Sequence, residues 1–370
     1  MGTIRIETFK DQHVAAAIAF NERLCGRGVS AFLLNSAALV PQAPGEPILN
    51  HRFIAIEGDA ARGGFLMVRF PGYFEQGGLM PVLNCREPVS EGIIDARYSM
   101  LALRMLKNIQ QQGPYVFALG MGGEALPFPR LLRGAGWTLS QVPFLFHIVK
   151  PSRFLQEMQM LRNSPARQTA AFIAAYSGVG ALGAAILQRR SFGSHPGDQW
   201  KIEKITKWGA WADPIWERFR HLCSFSVSRD RETLDSLYPL DNERTSAFLV
   251  RHRGEPVSWT VTFNRRMRHN KYFGNLQVGS ILDCVGSEAA MRPTAALVTR
   301  QLTDDGAELI VTNQSHTQWI HTFTGIGFLR FRSNYILALS KDFAGAIAKV
   351  DNGAGRMHFT RGDSDGRIFL

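Results

Sequence analysis

The sequence predicts an α+β protein, with mixed α/β sheets, in which one folding unit is used twice in tandem. Three observations carry this. Residues Tyr115 to Val149 (YVFALGMGGEALPFPRLLRGAGWTLSQVPFLFHIV) and Glu308 to Ser340 (ELIVTNQSHTQWIHTFTGIGFLRFRSNYILALS) share one order: short apolar strand, glycine-containing polar turn, short helix, Gly-aromatic pair, final apolar strand. Each unit follows a longer amphipathic helix. A chain of 370 residues also has the length of about two domains, each able to bury its own core.

The first half opens with a strand over Ile4 to Thr8 and a helix over about His13 to Cys25, followed by a Pro-rich loop from Pro41 to Pro47. HRFIAIEGD, RGGFLMVRFPGYF and GGLMPVLNC then read as an antiparallel meander joined by glycine turns. A helix of about Asp95 to Gln112 leads into the repeat unit, whose Gly136-Trp137 pair precedes the last strand. The second half repeats the order: a strand at Lys201 to Thr206, helices around Pro214 to Leu237, and a hairpin about Arg253-Gly254-Glu255. The strand NLQVGSILDCVG and a helix of about Ala289 to Leu302 complete it, with Gly327-Phe328 as the matching pair. The predicted domains are 1–150 and 200–345, joined by linker helices over 151–199 and followed by a tail, 346–370.

Within the linker, TAAFIAAYSGVGALGAAIL is uncharged, but Ala and Gly give it a weak transfer energy, so it reads as a buried Ala/Gly-rich helix. Membrane-surface contact through 169–187 and a membrane span are the alternatives. Gly178-Val-Gly180-Ala-Leu-Gly183 matches G-x-G-x-x-G, with Glu203 at the spacing of a ribose-binding acid. The residues before it are Ala-rich rather than β-branched, and the flanking repeats leave too little chain for a dinucleotide fold.

Composition excludes several classes. With 45% hydrophobic and 20% charged residues, no long tract is biased toward disorder. Cys25, Cys85, Cys223 and Cys284 are dispersed, without a C-x-x-C pair, as expected of a reducing, cytoplasmic compartment. The N-terminus carries charges and lacks a signal-peptide pattern. No nucleophile elbow, Walker loop or H-E-x-x-H occurs, and His316 and His321 fall on different helix faces. Asp363 and Asp365, in the closing TRGDSDG, read as a solvated turn rather than as metal ligands, so no metal is expected.

The net charge of +11 is local. Residues 150–220 carry 11 basic against 5 acidic side chains, and residues 251–271 carry 6 against 1. Such concentration suits an anionic partner, whether a nucleotide cofactor, a nucleic acid or an acidic membrane.

Strand and helix order, with a Gly-aromatic step before the final strand, resembles the GNAT acyltransferase fold over 4–150 and 200–340. The tandem is similar to Fem-type aminoacyltransferases. PVSEGIID, ALGMGG, VPFLFHIV and TRGDSDG resemble acyltransferase-like proteins of bacterial surface-polysaccharide clusters. The resemblance implies an acyl group moved from acyl-CoA, or from an acyl-carrier protein, to an amine or hydroxyl, with a surface-glycan precursor as the acceptor that the last group suggests. The Fem-like alternative implies aminoacyl-tRNA as donor, and a third reading is an inactive scaffold or sensor.

In this family two parallel strands splay apart to admit the pantetheine, and the next loop and helix N-terminus bind the diphosphate. The family's Q/R-x-x-G-x-G/A loop is absent here: VSEGIIDARY and VGSEAAMRP stand in its place, with Glu91 and Glu288 where a diphosphate is expected. The second half, holding the basic hairpin and the more polar strand ends, is read as the active one. Asp283 or His316 is then the base, and Asn313 and Ser315 hold the acceptor or the oxyanion. Val285, Gly286, Ser287 and Arg292 line the cofactor, with Trp319 along the acyl slot. The plainer roles are helix capping for Ser315 or Asn313 and a turn for Asp283. In the first half Cys85, Glu91 and Glu124 occupy comparable positions, Ser90-Glu91-Gly92 reads as a helix cap, and Gly120-Met-Gly122-Gly123 is a turn able to approach a ligand.

Overall fold

The computed structural model describes residues 3–29, 45–158, 196–241, 245–331 and 333–364. In chain order the first half forms β1 (Ile4–Thr8), α1 (Val14–Cys25), β2 (Leu49–Glu57), β3 (Ala60–Phe74), β4 (Gly78–Ser90), α2 (Leu101–Gln111), β5 (Val116–Leu119), α3 (Pro127–Gly134) and β6 (Thr138–Gln141). Then come β7 (Phe144–Ile148), α4 (Pro151–Glu157), β8 (Trp200–Ile205), α5 (Ala212–Arg220), β9 (Phe225–Val227) and α6 (Arg231–Leu237). The chain continues through β10 (Thr245–His252), β11 (Glu255–Arg266), β12 (Gln277–Gly286), α7 (Glu288–Asp304), β13 (Leu309–Asn313), α8 (Thr317–Gly325) and β14 (Leu329–Phe331). It ends with β15 (Ile336–Leu339), α9 (Lys341–Asp351) and β16 (Met357–His358).

Two compact units result, and their boundaries are not those of the repeats. One is Met1–Gln141 with Asn334–Asn352; the other is Val142–Ser333 with Gly353–Leu370. The first sheet runs β1-β2-β3-β4-β5-β15-β6, the second β14-β7-β13-β12-β11-β10-β8. Each has one parallel step, β4 on β5 and β12 on β13, and is otherwise antiparallel along this path. The two orders are the same topology written twice, except that the seventh strand is exchanged. β15, from the second repeat, lies between β5 and β6, and β7, from the first repeat, lies between β13 and β14.

Local chemistry explains the recurring Gly-aromatic step. Gly136 and Gly327 adopt φ of 82° and 96°, the left-handed conformation that closes a helix. The next residue then bonds five positions back, Trp137 N–H to Leu132 O at 3.0 Å and Phe328 N–H to Phe323 O at 3.0 Å. Trp137 and Phe328 are both buried. His147 of β7 packs at a tilt against Phe328 with ring centres 5.4 Å apart, and burial pushes its imidazole below the ordinary histidine value despite a bond to Gly327 O.

Three further sequence expectations are corrected. The helix predicted from Asp95 starts at Leu101, because the Ser90 and Asp95 side chains accept from Gly92 N and Arg97 N and cap two 3-10 turns ahead of it. The helices predicted over Pro214 to Leu237 are interrupted by β9, whose three residues are all buried. The predicted tail begins inside α9, and Phe359, Thr360 and Asp363 are fully buried in the second unit. Of the predicted linker helices, α4 belongs to the second unit, and 159–195 lies outside the described residues, with the Ala/Gly-rich run and the G-x-G-x-x-G match.

All four residues of β15 are buried, and Ser340 fastens its end by donating to Pro114 O at 2.8 Å and accepting from Val116 N at 3.2 Å. Burying Ile336, Leu337 and Leu339 contributes roughly 5–9 kcal/mol. That is comparable to the whole stability of a domain, about 5–15 kcal/mol. Residues 1–150 expressed alone are therefore expected to lack a cooperative thermal transition by circular dichroism. Residues 1–141 joined by a flexible linker to 334–352 are expected to regain one.

Candidate functional site

In both units the central strand outruns its parallel neighbour. β4 pairs with β5 only at Leu83–Val116 and Asn84–Phe117, yet continues to Ser90. β12 pairs with β13 from Val278 to Ile281 and continues to Gly286. At the parting point each carries a bulge: β4 slips register against β3 between the Leu66–Arg86 and Gly64–Val89 pairs, and β12 slips against β11 between Ile281 and Asp283. The two gaps, one per unit, are finished in opposite ways.

In the second unit the gap is closed by charge. Asp283, Arg229, His358 and Asp363 have no solvent exposure, and Tyr238 has 1%. Asp283 Oδ2 accepts from Arg229 Nε at 2.7 Å and from the Tyr238 hydroxyl at 2.8 Å. Its Oδ1 meets Cys284 N at 2.9 Å and His358 Nε2 at 3.1 Å. Arg229 Nη2 reaches Asp363 Oδ1 at 2.6 Å, and Asp363 Oδ2 accepts from Thr360 N at 2.8 Å. Burial alone would raise the Asp283 carboxyl, but the Arg229 charge and the bonds from His358 and Tyr238 hold it well below the usual carboxylate range. Burial raises Asp363, more than Arg229 lowers it.

This corrects the reading of Asp283 as a base: its oxygens are occupied by four donors and closed to solvent. His316 is also buried, with Nε2 at 3.0 Å from Leu222 O. Ser315 Oγ donates to Met357 O at 2.7 Å and accepts from Phe359 N at 2.6 Å, so it ties down the C-terminal segment and caps no helix. Asn313 Nδ2 lies 3.4 Å from Pro143 O. Trp319 is fully buried against Phe323, with ring centres 5.8 Å apart, which leaves no acyl slot along it. Val285 and Gly286 are buried in β12, Ser287 precedes α7, and the exposed Arg292 donates to Gly325 O at 3.3 Å. The predicted catalytic residues thus gather near the gap, as packing.

The first unit leaves an open cleft of about 620 Å³ at the C-terminal end of β4. Arg23, Arg27, Arg62 and Arg97 line it, with Glu91 and Asp95. Glu91 accepts from Arg23 at 2.8 and 3.1 Å and from Arg62 at 2.9 Å. Burial would raise its carboxyl, and these two guanidiniums bring it below the ordinary value. Arg62 also donates to Glu57 at 3.1 Å and lies 4.7 Å from the Tyr98 ring centre. The loop amides are consumed internally: Gly92 N bonds Ser90 Oγ, and Ile94 N and Asp95 N bond Glu91 O. What the cleft offers an anion is guanidinium, four against two carboxylates.

Glu87 stands in the β4 bulge at φ 51°, a strained conformation for a residue with a side chain. It is half-buried, and burial raises its carboxyl above the ordinary value although Arg86 and Arg52 oppose this. Cys85 beside it is buried, which pushes its thiol far up and leaves it unreactive. Glu124 is paired with Arg133 at 2.5 Å. Among the described residues no cluster of His, Cys, Asp and Glu is placed to hold a metal, and Asp365 lies outside them. Sequence reasoning passed over Glu87 and the arginines. The available signal for Glu87 was Arg86-Glu87-Pro88 inside a strand pattern, since proline within a sheet marks an edge or a bulge.

No family model matches the chain, and no curated protein matches it. Among solved structures, a GCN5-related N-acetyltransferase from Anabaena variabilis is similar at a TM-score of 0.52 and 10% identity, covering 91% of this chain and 72% of its own. N-myristoyltransferase from Saccharomyces cerevisiae with bound myristoyl-CoA gives 0.50 at 9%, covering 92% and 78%. A probable N-acyltransferase from Enterococcus faecalis gives 0.50 at 11%, covering 95% and 75%. With these likenesses, the twice-used strand order and the two bulged central strands define a two-domain GNAT-type fold.

Removing one partner from a buried ion pair strands the other charge, at a cost of about 3–5 kcal/mol. Asp283→Asn is expected to lose that much in urea unfolding followed by tryptophan fluorescence. Asp363→Asn is expected to lose less, because burial already favours the neutral form. As the Asp283 carboxyl lies below its unfolded value, its contribution is complete above about pH 4 and fades as pH falls further. The acid slope of stability should therefore flatten in Asp283→Asn.

Proposed function

We propose that the protein is an acyltransferase whose chemistry resides in the first unit, moving an acyl group from an acyl-CoA-type thioester to an amine or hydroxyl. One observation carries this reading: the bulged stretch 85–90, free of a parallel neighbour and bearing Glu87, ends at the four-arginine cleft. Arg23, Arg27, Arg62 and Arg97 have the charge and fork geometry to hold the donor's diphosphate. When bound, the donor supplies the activated acyl carbon and a thiolate leaving group.

Glu87 takes the proton from the attacking amine or hydroxyl, a role suited to a carboxylate whose affinity for protons burial has raised. Backbone N–H groups on the open edge of 85–90 donate to the oxyanion of the tetrahedral intermediate. The second unit, its gap filled by Arg229, Asp283 and Asp363, serves as supporting structure. The resemblance of PVSEGIID, ALGMGG and TRGDSDG to proteins of surface-polysaccharide clusters supports a glycan precursor as acceptor.

Glu87→Gln is expected to lower kcat by about 10²–10⁴-fold while the melting-temperature rise with acyl-CoA persists. The wild-type rate should climb with pH through the raised Glu87 ionisation and then level off, a limb absent from the variant. Arg27→Gln and Arg97→Gln should raise KM for the donor with little change in kcat. Full activity in Glu87→Gln would end this assignment.

A further inference from the structure

The basic stretch that stands out in the sequence, 251–271, is only partly spent within the fold. Arg251 pairs with Glu203 at 2.8 Å, Arg253 bonds Gln199, and Arg266 pairs with Glu308 at 3.1 Å. Arg265 and Arg268 have no ion-pair partner among the described residues. Lys271 lies over the Tyr272 ring at 4.9 Å. All three cations are exposed, Tyr272 is 46% exposed, and no acidic residue occurs from Pro256 to Leu282.

These groups sit on a stiff support. Residues 267–276 join β11 to β12, and the Asn270 and Gly274 backbones bond each other twice at 2.9 Å. Asn270 Oδ1 accepts from Tyr272 N and Phe273 N. Glu157 of α4 receives Asn275 through its backbone and side chain at 2.9 and 3.1 Å, while Met267 and Phe273 pack beneath. The acids that bond this base, Glu157 and Glu308, are thereby committed to internal contacts, Glu308 to Lys150, Arg153 and Arg266, and Asp305, whose carbonyl bonds Asn264, accepts from Gln301 at 3.0 Å.

We infer that this hairpin end is a docking arm for a surface of anionic phospholipid headgroups. Three cations with no acid in their own stretch of chain complement such a surface, and one exposed tyrosine ring suits the headgroup level, where amphipathic aromatics collect. Single-stranded nucleic acid instead needs a basic groove with successive stacking rings, and the hairpin end exposes only the Tyr272 ring and the small His269 imidazole. Each cation near an anionic bilayer strengthens binding about fivefold, so the three together supply about 100-fold.

The test is flotation of the full chain with phosphatidylcholine vesicles, with and without phosphatidylglycerol, at low and high salt. Binding is expected only with phosphatidylglycerol, weakening as salt screens the charges. The triple variant R265Q/R268Q/K271Q should bind about 100-fold more weakly with an unchanged melting temperature, and Tyr272→Ser should weaken binding at every salt concentration. Equal flotation of wild type and triple variant would overturn the inference, as would no flotation of either. Single-stranded RNA that binds more tightly than vesicles, and loses its binding in the triple variant, would also overturn it.

Discussion

Exchange of the seventh strands is the constraint from which the rest of the structure follows. Without β15 the first sheet has a break between β5 and β6, and without β7 the second has one between β13 and β14. Buried backbone groups along those strands would then lack partners, which a folded core does not tolerate. The closing contact in the first unit, Val116 with Ser340, spans 224 positions of sequence. Such long-range closure slows folding and makes it cooperative across the chain, because neither core is complete until the other half has been made.

The same topology then yields two different gaps. In the second unit an aspartate occupies the bulge, and a lone buried carboxylate would be prohibitively costly. Arg229, Tyr238, His358 and the Cys284 amide make it tolerable, and Asp363 brings the C-terminal segment in to complete the guanidinium's bonds. Once five ionisable groups have been shielded in this way, opening the gap for a ligand would expose or strand them, so it stays shut. In the first unit the bulge carries Glu87, whose charge Arg86 and Arg52 only partly offset. Its strain and its raised proton affinity are retained costs that packing alone does not explain.

Element order was legible because periodicity and turn chemistry are local properties: the Gly-aromatic steps and the meander follow from them, whereas the parallel pairs were implied by the resemblance to the GNAT fold. Strand exchange was not, since β7 and β15 are apolar strands that fit either sheet, and only three-dimensional pairing chooses between them. The burial of Asp283 and His316 was not legible for a related reason. Asp283 and His316 are polar residues at strand ends, a pattern shared by catalytic groups and by buried anchors, and the sequence holds no local record of burial. Arg229 and Asp363, which settle the matter, lie 134 positions apart. Likewise Glu91 looks hostile to a diphosphate until Arg23 and Arg62, from α1 and β3, are brought against it.

That arrangement around Glu91 also bears on how a cleft of arginines persists without a ligand. Four guanidiniums facing one another would repel and splay into solvent, losing the geometry that anion recognition needs. Glu91 bridges Arg23 and Arg62, Glu57 braces Arg62 from behind, and Asp95 holds Arg97 at 2.6 Å. The carboxylates offset part of the cationic charge, but they fix the direction of the forks before binding, so less side-chain entropy is lost when an anion arrives. The acid that departs from the family's loop thus acts as the scaffold of the basic cleft, whose lining keeps four guanidiniums against two carboxylates.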